Sequence, residues 1–373
     1  MRVNRLRANN QFVQRIKACR LAAICGLASV ALALGACGGD DDDASQTPGP
    51  TNTPPSTPEA TLSAEPATVT VVAGGEEGPV QVRAFLPEEI TIRVGDTIRW
   101  EAASDRHTVS FLGGAEPFAL IVPEPSSPAD AVLNPLVVNP QPSPLPASYD
   151  GSLLLSSGFF GEAEADGPAI TFSAAGSYDY QCLVHSQMTG TVNVVDDSSA
   201  VPDQAAIDEQ AREERQGHVE EAEDQIQSLR DDGPQSADGP NETTAWEVIA
   251  GFSTDHADVR LFIPEELEIG QGDTVTWLNS AREPHTITFG EPPIFELAET
   301  LPNGEARRVL NPEILNVALG DFEFVSGEFF HSGLLLENGP LGVRFELIFP
   351  DNGRFTYVDA LYAEMQGVIV VVD

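Results

Sequence analysis

Three residue types that bind soft and borderline transition metals stand close together in YQCLVHSQMTG, residues 180–190: Cys182, His185 and Met188. A thiolate, an imidazole and a thioether at this spacing can share one ion if the chain between them turns tightly. A second imidazole, His107, lies 75 positions before Cys182, just after a strand-like run ending in GDTIRW. A thiolate and two imidazoles in one plane, with a weak axial thioether, suit both Cu(I) and Cu(II). The chemistry on offer is one-electron exchange at copper.

Cysteine and methionine usage bears on this. The remaining cysteines, Cys19, Cys25 and Cys37, fall near the start of the chain, so Cys182 has no internal disulfide partner in the later domains. It is inert, intermolecular or a ligand. Apart from Met1, the methionines are Met188 and Met365, the latter in YVDALYAEMQG, residues 357–367. That segment keeps Tyr, Met and Gly but sets Asp359 and Tyr362 where the first has Cys182 and His185.

The echo extends upstream at the same offset. FLPEEITIRVGDTIRW (85–100) aligns with FIPEELEIGQGDTVTW (262–277), and each is followed by a polar turn and a histidine, His107 and His285. A third block pairs GSLLLSSGFF (151–160) with GEFFHSGLLL (327–336). Four blocks in one order read as an internal duplication of a whole domain.

The elements that must position these residues are strands. Apolar and polar residues alternate on both sides of each Gly-Asp turn, and GTVNVV and GVIVVV supply short β-branched runs that close each unit. The expected fold is all-β, two Greek-key β-sandwiches of antiparallel strands. The Pro-dense stretch between Phe111 and Ser157 is expected to form a surface excursion with turns. From Asp203, AAIDEQAREERQGHVEEAEDQIQSLR is helix-forming, with Val219, Ala222, Ile226 and Leu229 along one side. The expected layout is a leader (1–36), an Asp/Thr/Pro-rich stalk (37–65), domain 1 (66–196), an acidic, partly helical linker (197–242) and domain 2 (243–373).

On these residues, domain 1 resembles the plastocyanin/amicyanin-like cupredoxins, the blue copper proteins, and its C-x2-H-x2-M loop has the short amicyanin-like spacing. The resemblance implies one type 1 copper held by His107, Cys182 and His185 with Met188 axial, and no substrate transformed. It implies electron passage through the His185 ring edge and a redox partner such as a c-type cytochrome or membrane oxidoreductase. Thr108 and Val184 stand where the family often has Asn and Pro, which bears on tuning of the potential. Domain 2 lacks a cysteine, so it is expected to be a structural or docking copy; Asp359, His285 and His331 are its remaining candidates for a harder metal site. His218 and His256 are expected to be solvated. Two-domain copper oxidases and nitrite reductases need additional paired histidines, and the six histidines here are all isolated. A copper-delivery or structural surface protein stays open as an alternative.

The ends of the chain speak to location. Six basic residues precede the apolar run LAAICGLASVALALGA (21–36), followed by Cys37 and GGDDDD. Small residues before this cysteine resemble a bacterial lipobox, which implies lipidation at Cys37, export and a membrane anchor; an ordinary signal peptide is the alternative. Without residues 1–36, 13 basic residues face 58 acidic ones, a net charge of -45. Such a surface excludes nucleic acid as a partner and suits a basic protein or a salty medium.

Overall fold

Alternation decides which side of each strand is buried, and a turn decides which sheet the next strand joins. The computed structural model describes residues 65–373 apart from 125–126, 162–166, 197–199, 295, 301–305, 316–321 and 338–340. The expected leader, the stalk up to residue 64 and Cys37 lie outside the described residues. In β3 (Glu89–Arg93) Ile90 and Ile92 point inward, and in β4 (Thr97–Ala102) Ile98 and Trp100 do. Between them Gly95, at φ 95°, lets the chain cross from one sheet to the other. The Asp96 carboxylate fixes the corner by accepting from Ala67 N at 2.7 Å and Arg93 N at 2.9 Å.

Besides these, domain 1 contains β1 (Thr68–Glu77), β2 (Val80–Leu86), β5 (Ser110–Phe111), β6 (Ile121–Glu124), β7 (Ser127–Leu133), β8 (Ser148–Tyr149), β9 (Leu155–Ser156), β10 (Ala169–Phe172), β11 (Gly176–Gln181) and β12 (Thr189–Val195). One sheet runs β2-β1-β4-β10-β8 and the facing one β3-β12-β11-β5-β9. Domain 2 repeats the arrangement with β13 (Gln235–Asp238), β14 (Thr244–Ser253), β15 (Ala257–Ile263), β16 (Glu266–Gly270), β17 (Thr274–Ser280), β18 (Thr288–Phe289), β19 (Glu296–Thr300), β20 (Ala306–Leu310), β21 (Phe330–His331), β22 (Arg344–Ile348), β23 (Gly353–Val358) and β24 (Gln366–Val372). Its sheets run β15-β14-β17-β22, with β13 beside β14, and β16-β24-β23-β18-β21. The fold is therefore all-β, two sandwiches with a helical connector. The sheets are mixed rather than purely antiparallel, because β1 pairs β4, β12 pairs β3, β14 pairs β17 and β16 pairs β24 in parallel.

The two sandwiches share a sheet. β2 pairs β15 antiparallel, with Val82 opposite Ala257, Gln81 opposite Asp258 and Val80 opposite Val259. Gln81 and Asp258 are themselves 177 positions apart, so an approximate two-fold passes through this pair. The connector helix, Gln204–Asp232, starts at Asp203, whose side chain accepts from Ala206 N at 3.0 Å. It covers the shared seam: Val219, Ala222 and Ile226 are buried with Val80, Val82, Leu86, Phe252, Val259 and Ile263. The Pro-dense stretch is more ordered than its composition suggests. β6 and β7 form a hairpin whose β7 meets β20 of domain 2, with Pro128 near the start of the strand, where a missing N–H is tolerated.

Candidate metal centre

His107 is fixed by its backbone before its ring is considered. It exchanges both hydrogen bonds with Phe160, at 2.9 and 3.0 Å. Its ring lies over Gly74, where β1 bulges at φ 72°; a Cβ there would come within 2.6 Å of Nε2. Nε2–H donates to Ser104 O at 2.8 Å, which leaves the Nδ1 lone pair free and directed inward. Cys182 follows β11 and opens a loop closed on itself. Cys182 N donates to Met188 O and Met188 N to His185 O, both at 2.9 Å.

This folding brings three predicted residues together. Cys182 Sγ lies 3.7 Å from His185 Nδ1 and 4.0 Å from His107 Nδ1, and the three atoms lie within 4.8 Å of one another. Met188 is buried in the same core cluster as Cys182. Bonds of about 2.3 Å to sulfur and about 2.0 Å to nitrogen, at 120°, place the sulfur about 3.7 Å from each nitrogen. The two sulfur–nitrogen distances would suit a small ion held by these three residues. Thr108 supports the sulfur twice: its N–H points at Sγ over 3.4 Å and its hydroxyl accepts from Leu183 N at 2.7 Å.

Burial sets the electrostatics. It pushes the Cys182 thiol pKa up, an effect the Thr108 amide opposes. It pushes His107 down to about 4, helped by the charge of Arg83, and His185 well below its ordinary value, helped by Arg83 and His107. Both imidazoles are neutral at pH 7 and available as donors. A thiolate in this setting calls for a cation against it.

The His185 ring edge does not face open solvent. His185 is 7% exposed, and its Nε2 lies 3.7 Å from Glu283 Oε1 of domain 2. Glu283 belongs to a buried cluster spanning the seam. The Arg83 guanidinium meets Asp105 at 2.9 Å and Glu283 at 2.5 Å, and that of Arg260 meets Asp105 at 2.8 Å and Glu283 at 3.2 Å. Arg83 and Arg260 are 177 apart, and Asp105 and Glu283 each precede their histidine by two, so the cluster obeys the same approximate two-fold. Sequence reasoning missed it. The signal was VRAFLP (82–87) against VRLFIP (259–264), an arginine set twice into an otherwise apolar strand.

Domain 2 keeps the frame and fills the space differently. His285 Nδ1 lies 2.7 Å from Asp359 Oδ2, while Thr286 Oγ1 and Leu361 N donate to Oδ1 at 3.0 and 2.8 Å. Tyr362 takes the loop position of His185 and lies under the Arg260 guanidinium, 3.7 Å from its ring centroid. His331 does not join His285 and Asp359 as a ligand. Its Nδ1 accepts from Thr288 Oγ1 at 2.9 Å and its Nε2–H donates to Ile314 O at 3.2 Å. Its place answers Ser156, which bonds Ser110 at 2.8 Å, so the third repeat block aligns one residue away from the register read in sequence: Ser157 answers Ser332.

No protein-family model matches the chain, and a search of curated proteins gives no match. Solved structures similar to part of it include a purple cupredoxin from Nitrosopumilus maritimus, 24% identical with a TM-score of 0.20 over 34% of this chain and 98% of the other. The oxidised plastocyanin of Dryopteris crassirhizoma is 19% identical, TM-score 0.21, over 34% of this chain and 99% of the other. An oxidised amicyanin variant is 20% identical, TM-score 0.21, over 38% and 92%. Likenesses at this level carry no functional argument, so function rests on the site itself.

Proposed function

We propose that domain 1 holds one type 1 copper and that the protein is an electron carrier. His107, Cys182 and His185 would hold the copper, with the Met188 thioether as a further donor. The observation that carries this is the convergence of Cys182 Sγ with the two Nδ1 atoms, each Nδ1 free of other partners it would have to give up. Copper so bound exchanges one electron between Cu(II) and Cu(I). The chain's part is to hold the donors at spacings acceptable to both states, through the Phe160 backbone pair, the Thr108 bonds to the loop and the closed Cys182–Met188 turn. No substrate is transformed in this reading.

The common 177-residue offset and the approximate two-fold at Gln81 and Asp258 support domain 2 as a duplicated copy that has lost its copper ligands. Its role is then structural or docking: it presents Glu283 and Arg260 to the metal-bearing loop. The leader pattern and Cys37 support export and a lipid anchor on the outer face of the cell membrane. The acidic balance of 58 against 19 basic residues supports a basic redox partner, such as a c-type cytochrome, or a membrane oxidoreductase.

Copper titration of residues 38–373 tests the central claim. One equivalent should bind and give an intense visible thiolate-to-copper band that Cys182→Ser abolishes, with reversible one-electron voltammetry. A band that survives Cys182→Ser overturns it. The covered His185 edge favours one second reading, a copper-holding or structural protein, and copper binding without reversible voltammetry would select that reading.

A further inference from the structure

Away from this centre, three remote segments bring metal-binding side chains to one point. Glu88 sits in the turn between β2 and β3, His218 midway along the connector helix, and His256 in the turn between β14 and β15. His218 and His256 were expected to be solvated polar residues. Instead Glu88 Oε1 lies 3.4 Å from His218 Nε2 and 3.2 Å from His256 Nε2, and the three atoms lie within 4.8 Å of one another. The two imidazoles face each other at 4.4 Å between centroids, 30° from parallel.

The contacts are at ion-pair distance, and the His218 imidazole holds the Glu88 carboxyl below its ordinary range, but they lack the geometry of well-formed hydrogen bonds. Glu88 Oε1 and His218 Nε2 are both shielded from solvent, yet neither has a hydrogen-bond partner of acceptable geometry. Two shielded polar atoms 3.4 Å apart with no well-formed hydrogen bond are costly unless something completes them. Ligand bonds of about 2.0–2.1 Å in a tetrahedron place ligand atoms about 3.3–3.4 Å apart. The observed 3.2 and 3.4 Å match that edge.

The backbone at each point is already held. Thr191 N donates to Glu88 O at 2.8 Å and Glu88 N to Glu214 Oε2 at 2.9 Å. Arg83 N donates to His256 O at 2.7 Å, and Val219, next to His218, is buried in the seam. A contrast comes from the approximate two-fold. Glu265, 177 positions after Glu88, meets the same helix through Arg230 at 2.8 Å. Where one half of the seam uses a guanidinium, the other presents two imidazoles.

We propose that Glu88, His218 and His256 form a second metal site, for a divalent ion of the zinc class, that clamps the connector helix to both sandwiches. One carboxylate and two imidazoles are a borderline-hard donor set suited to Zn2+, and the set has no thiolate to stabilise a blue copper. The Glu88 and His256 side chains are 36% and 37% exposed, so solvent reaches the ion to supply the fourth ligand. The site is independent of the copper reading: it shares no residue with it.

The test uses residues 38–373 carrying Cys182→Ser, which removes the thiolate from domain 1, with Zn2+ alone as the probe. Equilibrium dialysis should give one tight Zn2+ per chain, with a rise in Tm reversed by chelation. His218→Gln and, separately, His256→Gln should each weaken binding more than about 100-fold, beyond what losing an outer partner costs. Their Tm in chelator should equal that of the parent, which guards against misfolding. Co2+ in place of Zn2+ should give tetrahedral visible bands without a sulfur-to-metal band. Absence of a tight Zn2+, or one whose affinity survives both His256→Gln and His218→Gln, overturns the proposal.

Discussion

His285 Nδ1 touches Asp359 Oδ2 at 2.7 Å, at the place where domain 1 holds His107 Nδ1 4.0 Å from Cys182 Sγ. The scaffolding around both pairs is the same. Each histidine ring lies over a glycine in a bulged strand, Gly74 or Gly251, and each following threonine accepts a loop amide, Leu183 N or Ala360 N, at 2.7 Å. What differs is the pair itself. In domain 2 a direct imidazole–carboxylate bond closes the space; in domain 1 the separation is too long for such a bond and matches two donors on one ion.

Asp359→Ala should therefore be a stability change confined to domain 2. It strips partners from His285 Nδ1, Thr286 Oγ1 and Leu361 N in a buried site. The expected cost is about 3 kcal/mol, in the range for losing buried hydrogen bonds to a charged group. Denaturant unfolding measures it, and the copper band of domain 1 should be unchanged. A cost below about 1 kcal/mol would mean the pair is incidental.

Gly74→Ala should strike the proposed copper site from beneath. At φ 72° the new Cβ is strained, and it would stand 2.6 Å from His107 Nε2 and 2.9 Å from Ser104 Oγ. His107 must tilt and loosen its bond to Ser104 O. Stability should fall by more than about 1 kcal/mol, and copper affinity with it. Isothermal titration with copper and a thermal melt read the two effects separately.

The candidate site was legible because its side chains are rare and local: Cys182, His185 and Met188 fall within seven residues, and the matching loop around Asp359 shares the Tyr, Met and Gly frame without the Cys and His. Strand runs were legible from alternation. The joining of the sandwiches was not, because pairing of β2 with β15 depends on two edges far apart in the chain meeting about a two-fold. With that pairing hidden, Arg83, Arg260, Asp105 and Glu283 read as scattered charges, and the cover over His185 could not be foreseen. His218 and His256 read as solvated for the same reason. Their neighbour relation exists only once the helix lies across the seam. The register slip at Ser157 and Ser332 arose from runs of Leu and Phe that tolerate a one-residue shift; the bonds to Val109 N and Ile287 N and the His107–Phe160 and His285–Leu335 bridges distinguish the registers.

Arg83→Met should be severe. The Arg83 side chain is fully buried and meets Asp105, Asp258 and Glu283. Removing the guanidinium leaves Asp258 without its cation and Asp105 and Glu283 sharing Arg260 alone in a dry seam, at an expected cost of about 3–5 kcal/mol. Pairing it with Asp258→Asn should recover part of that loss, since the neutral amide no longer needs a cation while Arg260 keeps Asp105 and Glu283. If the double variant is no more stable than Arg83→Met alone, the charge argument fails and lost packing explains the effect.

Glu283→Ala should uncover the ring edge of His185. Its carboxylate stands 3.7 Å from Nε2, and that nitrogen is otherwise held in a site with 7% residue exposure. Bimolecular oxidation of the reduced copper protein by a small anionic oxidant should accelerate, both because the path opens and because a negative charge is gone. Stopped-flow bleaching and recovery of the visible band follow the rate. An unchanged rate at matched driving force would place the electron's exit elsewhere than this edge.

His331 should make domain 2 sensitive to mild acid. Burial lowers its pKa below the ordinary 6.5, and its neutral form is fully used, accepting from Thr288 and donating to Ile314 O. A proton therefore binds the unfolded chain more readily than the folded one. The contribution of His331 to stability is complete above about pH 6.5 and declines as pH falls through 6.5 toward the depressed folded-state value. Comparing unfolding of the parent and His331→Gln at several pH values between 7.5 and 5 cancels the contributions of the other histidines. The stability difference between the two proteins should shift in favour of the variant as the medium becomes more acidic. A difference that stays constant with pH would mean that His331 accepts its second proton in place, with the Thr288 hydroxyl turning to receive it.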